Sequence, residues 1–295
     1  MKKILLPIIT ALLFSGSYVA AKYATFELEP LTTTLLRYTT ALLFLSALLF
    51  YFKIDSLKIE KKDIPQFLLL ALFGVIGYHY FFFTSLKYTI VANTGIINGF
   101  SPVFTAFFAA IFLREKLTKK NYLGISLALM GILILITHGK VQTILSFNFN
   151  YGDLFMLLAV ISWVVYSLLI KKLSKKYEIF TLTFYATFSG VIILFFLASF
   201  EQSFYHIMSI SKTSFFAILY MGIGASGIGY LLYNLSIKDI GPTKTATLVN
   251  SAVPFFVAIL SVLFFQESIT FIMIISGILI VAGLYLALSH QKSYK

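Results

Sequence analysis

The chain has 295 residues, of which 59% are apolar and only 12% are charged, and its mean hydropathy is +0.93. These values exclude an ordinary soluble domain, in which about a quarter of the residues are charged. The absence of cysteine excludes disulfides, thiolate catalysis and cysteine-ligated metals. The net charge of +12 raises the question of nucleic-acid binding, which the placement of the basic residues answers.

Ten apolar stretches approach the length of about 20 residues that a transmembrane helix needs. The predicted fold is therefore all-α: an integral membrane protein with ten transmembrane helices. The first stretch follows Lys2 and Lys3 as in a signal peptide, but it has full membrane length, so we expect a retained helix. In chain order the predicted spans are Ile4–Tyr23, Leu31–Phe52, Ile64–Leu86, Thr94–Leu113, Tyr122–Thr137, Leu154–Ile170, Phe180–Phe200, Ser214–Ser236, Thr245–Phe265 and Ile269–Ser289.

The basic residues are unevenly divided between the two sides of the membrane when the ten spans alternate. Most of the 23 Lys and Arg residues fall in the loops that share a side with both termini. Short loops rich in Lys and Arg stay in the cytoplasm, so the sequence predicts a multi-pass protein with both termini cytoplasmic. Charges placed in this way contact anionic membrane lipids. They predict no nucleic-acid partner.

The chain contains an internal repeat at a constant offset of 152 residues. Asn98 matches Asn250, and Pro102 matches Pro254. The basic residues that follow the first copy, Arg114 and Lys116, are replaced by uncharged residues in the second copy. A loss of positive charge at equivalent positions indicates that the two copies have opposite orientations in the membrane.

Five helices in each half would force the second half to enter from the opposite face. We therefore expect residues 1–138 and 151–290 to form two inverted five-helix repeats. This arrangement is typical of many secondary transporters, whose substrate site lies near the membrane midplane between the repeats.

Several motifs, spread over nearly the whole chain, carry a family resemblance. They are segment 15–22 (SGSYVAAK), Leu36–Arg37–Tyr38, segment 84–88 (TSLKY), Asn98, Pro102–Val103–Phe104, Gly152–Asp153, Trp163, Tyr166, Gly241–Pro242, Pro254 and Glu267. This set is similar to the EamA-like branch of the drug/metabolite transporter superfamily. One departure is Ser15, where many relatives carry Trp. The resemblance implies two inverted repeats in the bacterial cytoplasmic (inner) membrane, export or exchange of small metabolites, and no cofactor.

Polar and aromatic side chains on the predicted spans are candidates for lining a central cavity. Buried amides and hydroxyls need hydrogen-bond partners, so these residues either join helices or contact a substrate. Aromatic rings beside amides and hydroxyls suit a zwitterionic metabolite, which favours amino acids or their derivatives. The candidate substrate-binding residues are Ser15, Tyr18, Tyr78, His79, Asn98, Trp163, Tyr166, Tyr230, Tyr233 and Asn250.

Ionisable side chains are rare inside the predicted spans. The carboxylates fall at or beyond helix ends, which argues against a carboxylate proton relay or a metal site. Arg37 lies a few residues inside its span and is expected either to snorkel to the surface or to contact an anionic substrate group. His79 either packs in the core or serves as the proton-sensitive group.

Proline and glycine mark candidate gating positions. Pro102 and Pro254 each remove a backbone hydrogen bond and can kink a helix, and Gly227 is the third candidate. Segment 222–227 satisfies G-x-G-x-x-G, but inside an apolar span it predicts close packing or a flexible gate instead of a dinucleotide site. The G-x-x-x-G pair Gly95 and Gly99 predicts tight helix contact, either internal or in a homodimer.

Three classes of function follow from these patterns. The favoured class is a secondary transporter of small polar metabolites that works by alternating access. The alternative is an uncoupled facilitator or channel, because no carboxylate lies at mid-membrane. An enzyme is not expected, since the four histidines are scattered and no acid pair or Ser/His/Asp spacing is present.

Overall fold

A computed structural model describes residues 2–52, 57–112, 119–137, 139–140 and 149–288. Within these ranges the chain is helical and contains no strand, which confirms the all-α prediction. The helices are α1 (Lys2–Ala24), α2 (Pro30–Tyr51), α3 (Lys61–Tyr88), α4 (Val91–Asn98), α5 (Ser101–Phe112), α6 (Lys119–Ile136), α7 (Tyr151–Leu173), α8 (Ile179–Ala198), α9 (Lys212–Ile240), α10 (Pro242–Phe265) and α11 (Phe271–Leu288).

Seven helices of the described chain are long and apolar enough to cross a membrane: α1, α2, α3, α7, α8, α9 and α10. Two shorter apolar stretches, Tyr122–Leu135 and Phe271–Gly283, lie within α6 and α11. Large apolar side chains such as Phe196 and Leu263 are exposed on the outside of the bundle, where lipid would cover them. The chain is therefore a multi-pass membrane protein.

The fourth predicted span, Thr94–Leu113, is instead divided into α4 and α5. The chain turns at Gly99 and Phe100, and Pro102 occupies the second position of α5. The first N–H groups of a helix have no partner within the helix, so proline, which lacks an N–H, is tolerated there. Pro254, by contrast, lies inside the continuous helix α10. The end of the predicted span and the basic residues Arg114 and Lys116 lie outside the described residues.

Hydrogen bonds at one end of the bundle show that α1 and α7 are antiparallel. Lys22, near the end of α1, donates to the carbonyl of Leu86 near the end of α3. Thr89, just after α3, donates its hydroxyl proton to Asp153 at the start of α7 over 2.7 Å. The end of α1 and the start of α7 therefore lie at the same end of the bundle.

Contacts at the opposite end show that α3 and α9 are also antiparallel. Lys176, just after α7, forms a 2.6 Å ion pair with Asp63 at the start of α3. Lys171, in the last turn of α7, donates to the carbonyl of Lys238 near the end of α9 over 3.2 Å. The start of α3 and the end of α9 therefore lie together.

Helices α3 and α9 each contain a π-helical segment, at Ala71–Gly77 and Tyr220–Gly229 respectively. After each segment the backbone bond reaches back five residues, from the N–H of Tyr78 to Phe73 and from the N–H of Tyr230 to Ala225. π turns are rare in proteins, and those that occur are frequently found at functional sites. The two segments meet, because the Tyr230 hydroxyl donates to the carbonyl of Gly74 over 3.0 Å.

The glycine motifs serve internal packing. A Cβ on Gly222 would lie 2.5 Å from Thr40 of α2, and one on Gly227 would lie 2.6 Å from Phe44. Segment 222–227 therefore lets α9 approach α2 closely. In the first half, a Cβ on Gly95 would lie 2.7 Å from Val257 of α10. The G-x-x-x-G pair thus faces a helix of the same chain.

Candidate functional site

A small pocket lies at the centre of the bundle, between the two halves of the chain. Seven helices contribute to it, namely α1, α2, α3, α4, α7, α9 and α10. Its free volume is about 20 Å³, room for about one water molecule. The helices are therefore contracted around the site. The lining residues are Phe14, Ser17, Tyr18, Arg37, Tyr78, His79, Phe82, Asn98, Trp163, Tyr230 and Asn250.

The pocket brings together most of the residues that the sequence singled out as substrate contacts. Those that line it are Tyr18, Tyr78, His79, Asn98, Trp163, Tyr230 and Asn250. Asn98 and Asn250, the equivalent residues of the two repeat copies, contact each other directly. The amide of Asn98 donates to the Oδ1 atom of Asn250 over 3.1 Å.

The remaining three predicted residues lie outside the lining. The Ser15 hydroxyl donates back to the carbonyl of Ala11 in its own helix over 2.7 Å. One wall of the pocket is aromatic and is formed by the rings of Trp163, Tyr78 and Tyr230. Tyr166 and Tyr233 lie behind this aromatic wall. The Tyr233 hydroxyl accepts a 2.9 Å hydrogen bond from the indole N–H of Trp163, so that Tyr233 fixes the ring plane of Trp163.

Trp163 is the centre of the aromatic wall. Its ring centroid lies 5.0 Å from that of Tyr78, 5.1 Å from that of Tyr230 and 5.2 Å from that of Tyr166. Edge-to-face and tilted contacts of this kind stabilise aromatic clusters beyond simple burial. The wall is consequently a closely packed group of rings, whose polar atoms include the indole N–H of Trp163 and the hydroxyl of Tyr230.

Sequence reasoning missed three lining residues: Phe14, Ser17 and Phe82. Helical spacing could have found two of them, because Phe14 and Phe82 lie one turn from Tyr18 and Tyr78. The sequence left Arg37 between a snorkelling and a substrate-facing role.

Arg37 does not snorkel; it is 3% exposed and points into the pocket. Its Nε atom donates to the hydroxyl of Ser226 over 2.7 Å, and its Nη1 atom donates to the hydroxyl of Ser17 over 3.0 Å. Both partners are neutral. The ion pairs found in the described chain are all made by lysines, away from this site.

Three polar atoms of pocket residues are buried without a hydrogen-bond partner: the Tyr18 hydroxyl, Nε2 of His79 and Nδ2 of Asn250. The other ring nitrogen of His79 lies 3.1 Å from the carbonyl of Val75. An unpaired buried polar group costs about 1–3 kcal/mol. Three such atoms facing one pocket indicate a place for a polar ligand.

At one end of the bundle, carboxylates accept hydrogen bonds from residues at or just before the starts of helices. Glu27, after α1, accepts hydrogen bonds from the N–H and hydroxyl of Ser211 over 2.8 and 2.5 Å. Hydrogen bonds from Ser211 hold the pKa of Glu27 below its usual value. Glu201, after α8, accepts from the N–H groups of Leu31 and Thr32 over 2.9 and 2.6 Å. These bonds tie the first half to the second.

At the opposite end of the bundle, a lysine and a tyrosine contact two carboxylates. Lys176 pairs with Glu60 and Asp63 over 2.6 Å each, and the Tyr177 hydroxyl donates to Asp63 over 2.6 Å. Hydrogen bonds to Asp63 and Glu60 raise the pKa of Lys176 above its usual value. Contacts between the halves therefore join them at both ends of the bundle. Across the described ranges, no three His, Cys, Asp or Glu side chains come together as metal ligands would.

Comparison with known proteins places these features in a family. Residues 1–137 and 150–289 match the EamA-like transporter family. An uncharacterized transporter of Archaeoglobus fulgidus is 29% identical over 287 residues, which cover 97% of each chain. The uncharacterized transporter YyaM of Bacillus subtilis is 29% identical over 239 residues, covering 81% of this chain and 78% of YyaM.

A solved structure supports the fold. It has a TM-score of 0.66 and 20% sequence identity, and the match covers 97% of this chain and 96% of that one. The family match extends over both halves and its relatives are named transporters, so the chain belongs to the EamA-like transporter family and is a membrane transporter, not an enzyme.

Proposed function

We propose that the chain is a secondary transporter that exports or exchanges small polar metabolites, with amino acids or their derivatives as the favoured substrates. The observation that carries this proposal is the central pocket. Both halves contribute to it, an aromatic wall surrounds it, and it contains buried polar atoms that lack partners. The substrate-binding residues are those of the lining, with Tyr166 and Tyr233 as support for Trp163 and Ser15 as a helix-packing residue.

The proposed architecture is ten transmembrane helices in two inverted repeats, residues 1–138 and 151–290. In this scheme α4 and α5 together form the fourth span. Support comes from the antiparallel pairs α1/α7 and α3/α9, and from the π segments that both third helices contain. The direct contact between Asn98 and Asn250 also fits a pseudo-symmetric centre. Residues 1, 138 and 290, which are three of the four boundaries, lie outside the described residues.

Alternating access would require the contacts at one end of the bundle to open while those at the other end persist. The contracted pocket then corresponds to a closed intermediate, and a substrate enters only when one end separates. Candidate gating positions are Pro102, Pro254 and Gly227. A Cβ on Gly99 would lie 3.0 Å from Pro254, so the break between α4 and α5 lies against the proline of α10.

The proposed location is the bacterial cytoplasmic (inner) membrane, with both termini cytoplasmic. Membrane lipids would cover the exposed apolar side chains, and no nucleic-acid partner is proposed. A homodimer is compatible with the apolar outer surface, although the G-x-x-x-G pair is already used within the chain.

Transport by purified protein in proteoliposomes tests this proposal. We expect vesicles loaded with unlabelled amino acid to accumulate the labelled amino acid above its outside concentration, because exchange couples the two fluxes. A channel would only equalise the concentrations. An uncoupled facilitator that works as a carrier would show the same transient accumulation but would also take up the amino acid into empty vesicles, which an obligate exchanger would not do. No saturable flux of any small metabolite would contradict both classes.

A further inference from the structure

We propose that the pocket recognises its substrate by a carboxylate that Arg37 binds, and that a substrate ammonium group is not required. The ligand class is an organic anion with an apolar or aromatic body, which includes amino acids but extends to carboxylic acids without an amine. This inference rests on the proposed transport function and narrows its substrate class.

The first argument is the uncompensated charge of Arg37. The guanidinium is buried at mid-bundle, and the hydrogen bonds that it makes within the described chain go to two neutral serine hydroxyls. A buried charge in a membrane protein is costly and is retained where it serves a pathway or ligand. The pocket lining contains no carboxylate to balance it. An anionic ligand supplies that missing charge.

The second argument is the chemistry of the unpaired atoms. Nδ2 of Asn250 can only donate, and the Tyr18 hydroxyl can donate. Together with the free N–H groups of a guanidinium, they form a set of donors that matches the acceptor oxygens of a carboxylate. A ligand ammonium group would find no carboxylate in the lining; the groups open to it are aromatic faces, neutral oxygens and the uncharged Nε2 of His79.

The third argument weighs against a purely structural role for Arg37. Its bonds to Ser17 and Ser226 join α2 to α1 and α9. A neutral amide could make a comparable bridge without the cost of burying a charge. The choice of nitrogens also matters: Nε and Nη1 make the bridge, and Nη2, which makes no hydrogen bond within the described chain, remains for a ligand.

The test uses a property of this chain: Trp163, in the pocket wall, is its sole tryptophan. Selective excitation of tryptophan in the full-length protein in detergent micelles therefore reports binding at the site itself. The probes are 3-phenylpropionate, L-phenylalanine and L-phenylalaninamide. We expect the two carboxylates to change the fluorescence with comparable affinities. The amide, which keeps the ammonium group and loses the carboxylate, should bind at least about tenfold more weakly.

Variants then assign the effect to Arg37. Arg37→Gln should weaken binding of 3-phenylpropionate by about 10- to 150-fold, as loss of a charged hydrogen bond of about 1.5–3 kcal/mol implies. Arg37→Lys, which keeps the charge and loses the bidentate geometry, should bind with intermediate affinity. Lys212→Gln removes a basic residue at the start of α9, outside the pocket, and should leave affinity unchanged.

Several outcomes would overturn the proposal. These are equal binding of amide and carboxylate, unchanged binding by Arg37→Gln, and no response to 3-phenylpropionate. If Arg37→Gln does not fold, two measurements still test the proposal: the comparison of the three probes on the unmodified protein, and their binding to the Arg37→Lys variant. Failure here with saturable flux intact would leave the transporter proposal standing. Binding of the carboxylates without any flux would contradict transport and preserve the anion site.

Discussion

Trp163 and Tyr166 are ring neighbours with different positions relative to the pocket. Trp163 lines it, whereas the Tyr166 hydroxyl lies behind the wall and accepts a 2.7 Å hydrogen bond from Nδ2 of Asn234. The second proton of that amide is donated to Thr183 over 3.0 Å. Loss of the Tyr166 hydroxyl would thus leave one buried N–H unpaired, with no change in the wall itself.

Substitutions of these two residues should therefore separate an effect on binding from an effect on stability alone. We expect Trp163→Phe to raise the apparent KM for the transported substrate several-fold and to lower Tm, because the wall loses contact area and Tyr233 loses its hydrogen-bond donor. Tyr166→Phe should lower stability by about 1–3 kcal/mol with little change in KM. Proteoliposome flux and thermal unfolding measure the two quantities. A Tyr166→Phe variant with altered KM and normal Tm would place Tyr166 among the substrate contacts.

The positions of the helices could be predicted from the sequence, but their irregular turns could not. Apolar length is a local property, so every predicted span overlaps a helix of the described chain. The π segment in α3 packs against a distant partner: Gly74 lies against the ring of Tyr166, 92 positions later in the chain. The break at Gly99 likewise packs against Pro254. Neither contact is visible in a single window of sequence.

The close approach of α3 and α7 predicts the effect of adding a methyl group to α3. A Cβ on Gly74 would lie 2.2 Å from the Tyr166 ring, whereas one on Gly277 of α11 would meet nothing within 4 Å. We expect Gly74→Ala to destabilise the protein by about 1–3 kcal/mol through overpacking. The control Gly277→Ala should be neutral or stabilising by up to about 1 kcal/mol. Thermal unfolding in one detergent compares them, and equal Tm values would contradict the packing.

The tie between Glu27 and the start of α9 predicts a pH dependence. Its folded-state pKa is lowered by Ser211, so the contact stabilises the protein above the unfolded-state pKa of about 4.3. This stabilisation is lost as pH falls through the lower, folded-state value. Glu27→Gln should therefore lower Tm at neutral pH, and the difference from the unmodified protein should shrink as pH decreases below about 4.3.

Glu178→Gln is the matched control for that experiment. Glu178 is 69% exposed and pairs with Lys238 over 3.3 Å. Exposed ion pairs of this kind stabilise a protein by about 1 kcal/mol at most. A difference for Glu27→Gln that stays constant across the acidic range would contradict a carboxylate contribution from Glu27.

At the scale of the whole molecule, the orientation of the two halves is open to direct labelling. Because the chain has no cysteine, single-cysteine variants need no further changes. We expect impermeant thiol reagents to label Phe149→Cys and Lys175→Cys from opposite sides of intact cells, since these residues precede and follow α7. Detergent-solubilised protein is the control for reactivity. Labelling of both positions from one side would contradict the proposed topology.

The pocket was predictable to the extent that helical position reports depth. Tyr78, Trp163 and Tyr230 lie mid-span and line the pocket as expected. The role of Arg37 was not predictable, because its position near the start of α2 fitted a snorkelling side chain equally well. Arg37 is held inside the bundle by hydrogen bonds to Ser17 and Ser226, which lie on two other helices. Those contacts form only when the bundle assembles.

The π segments of α3 and α9 make residue count as important as residue identity. Each wide turn contains one residue more than an α-turn would need, and every later side chain is rotated about the helix axis by about 100°. Tyr78 and His79 follow the first segment directly, and Tyr230 follows the second. The same sequence wound as a regular α-helix would therefore aim these side chains away from the pocket, whereas deleting one residue within the wide turn would restore α-geometry and leave their directions unchanged. Two relatives whose third helices differ in length by one residue would thus keep the same pocket, because the wide turn absorbs the extra residue.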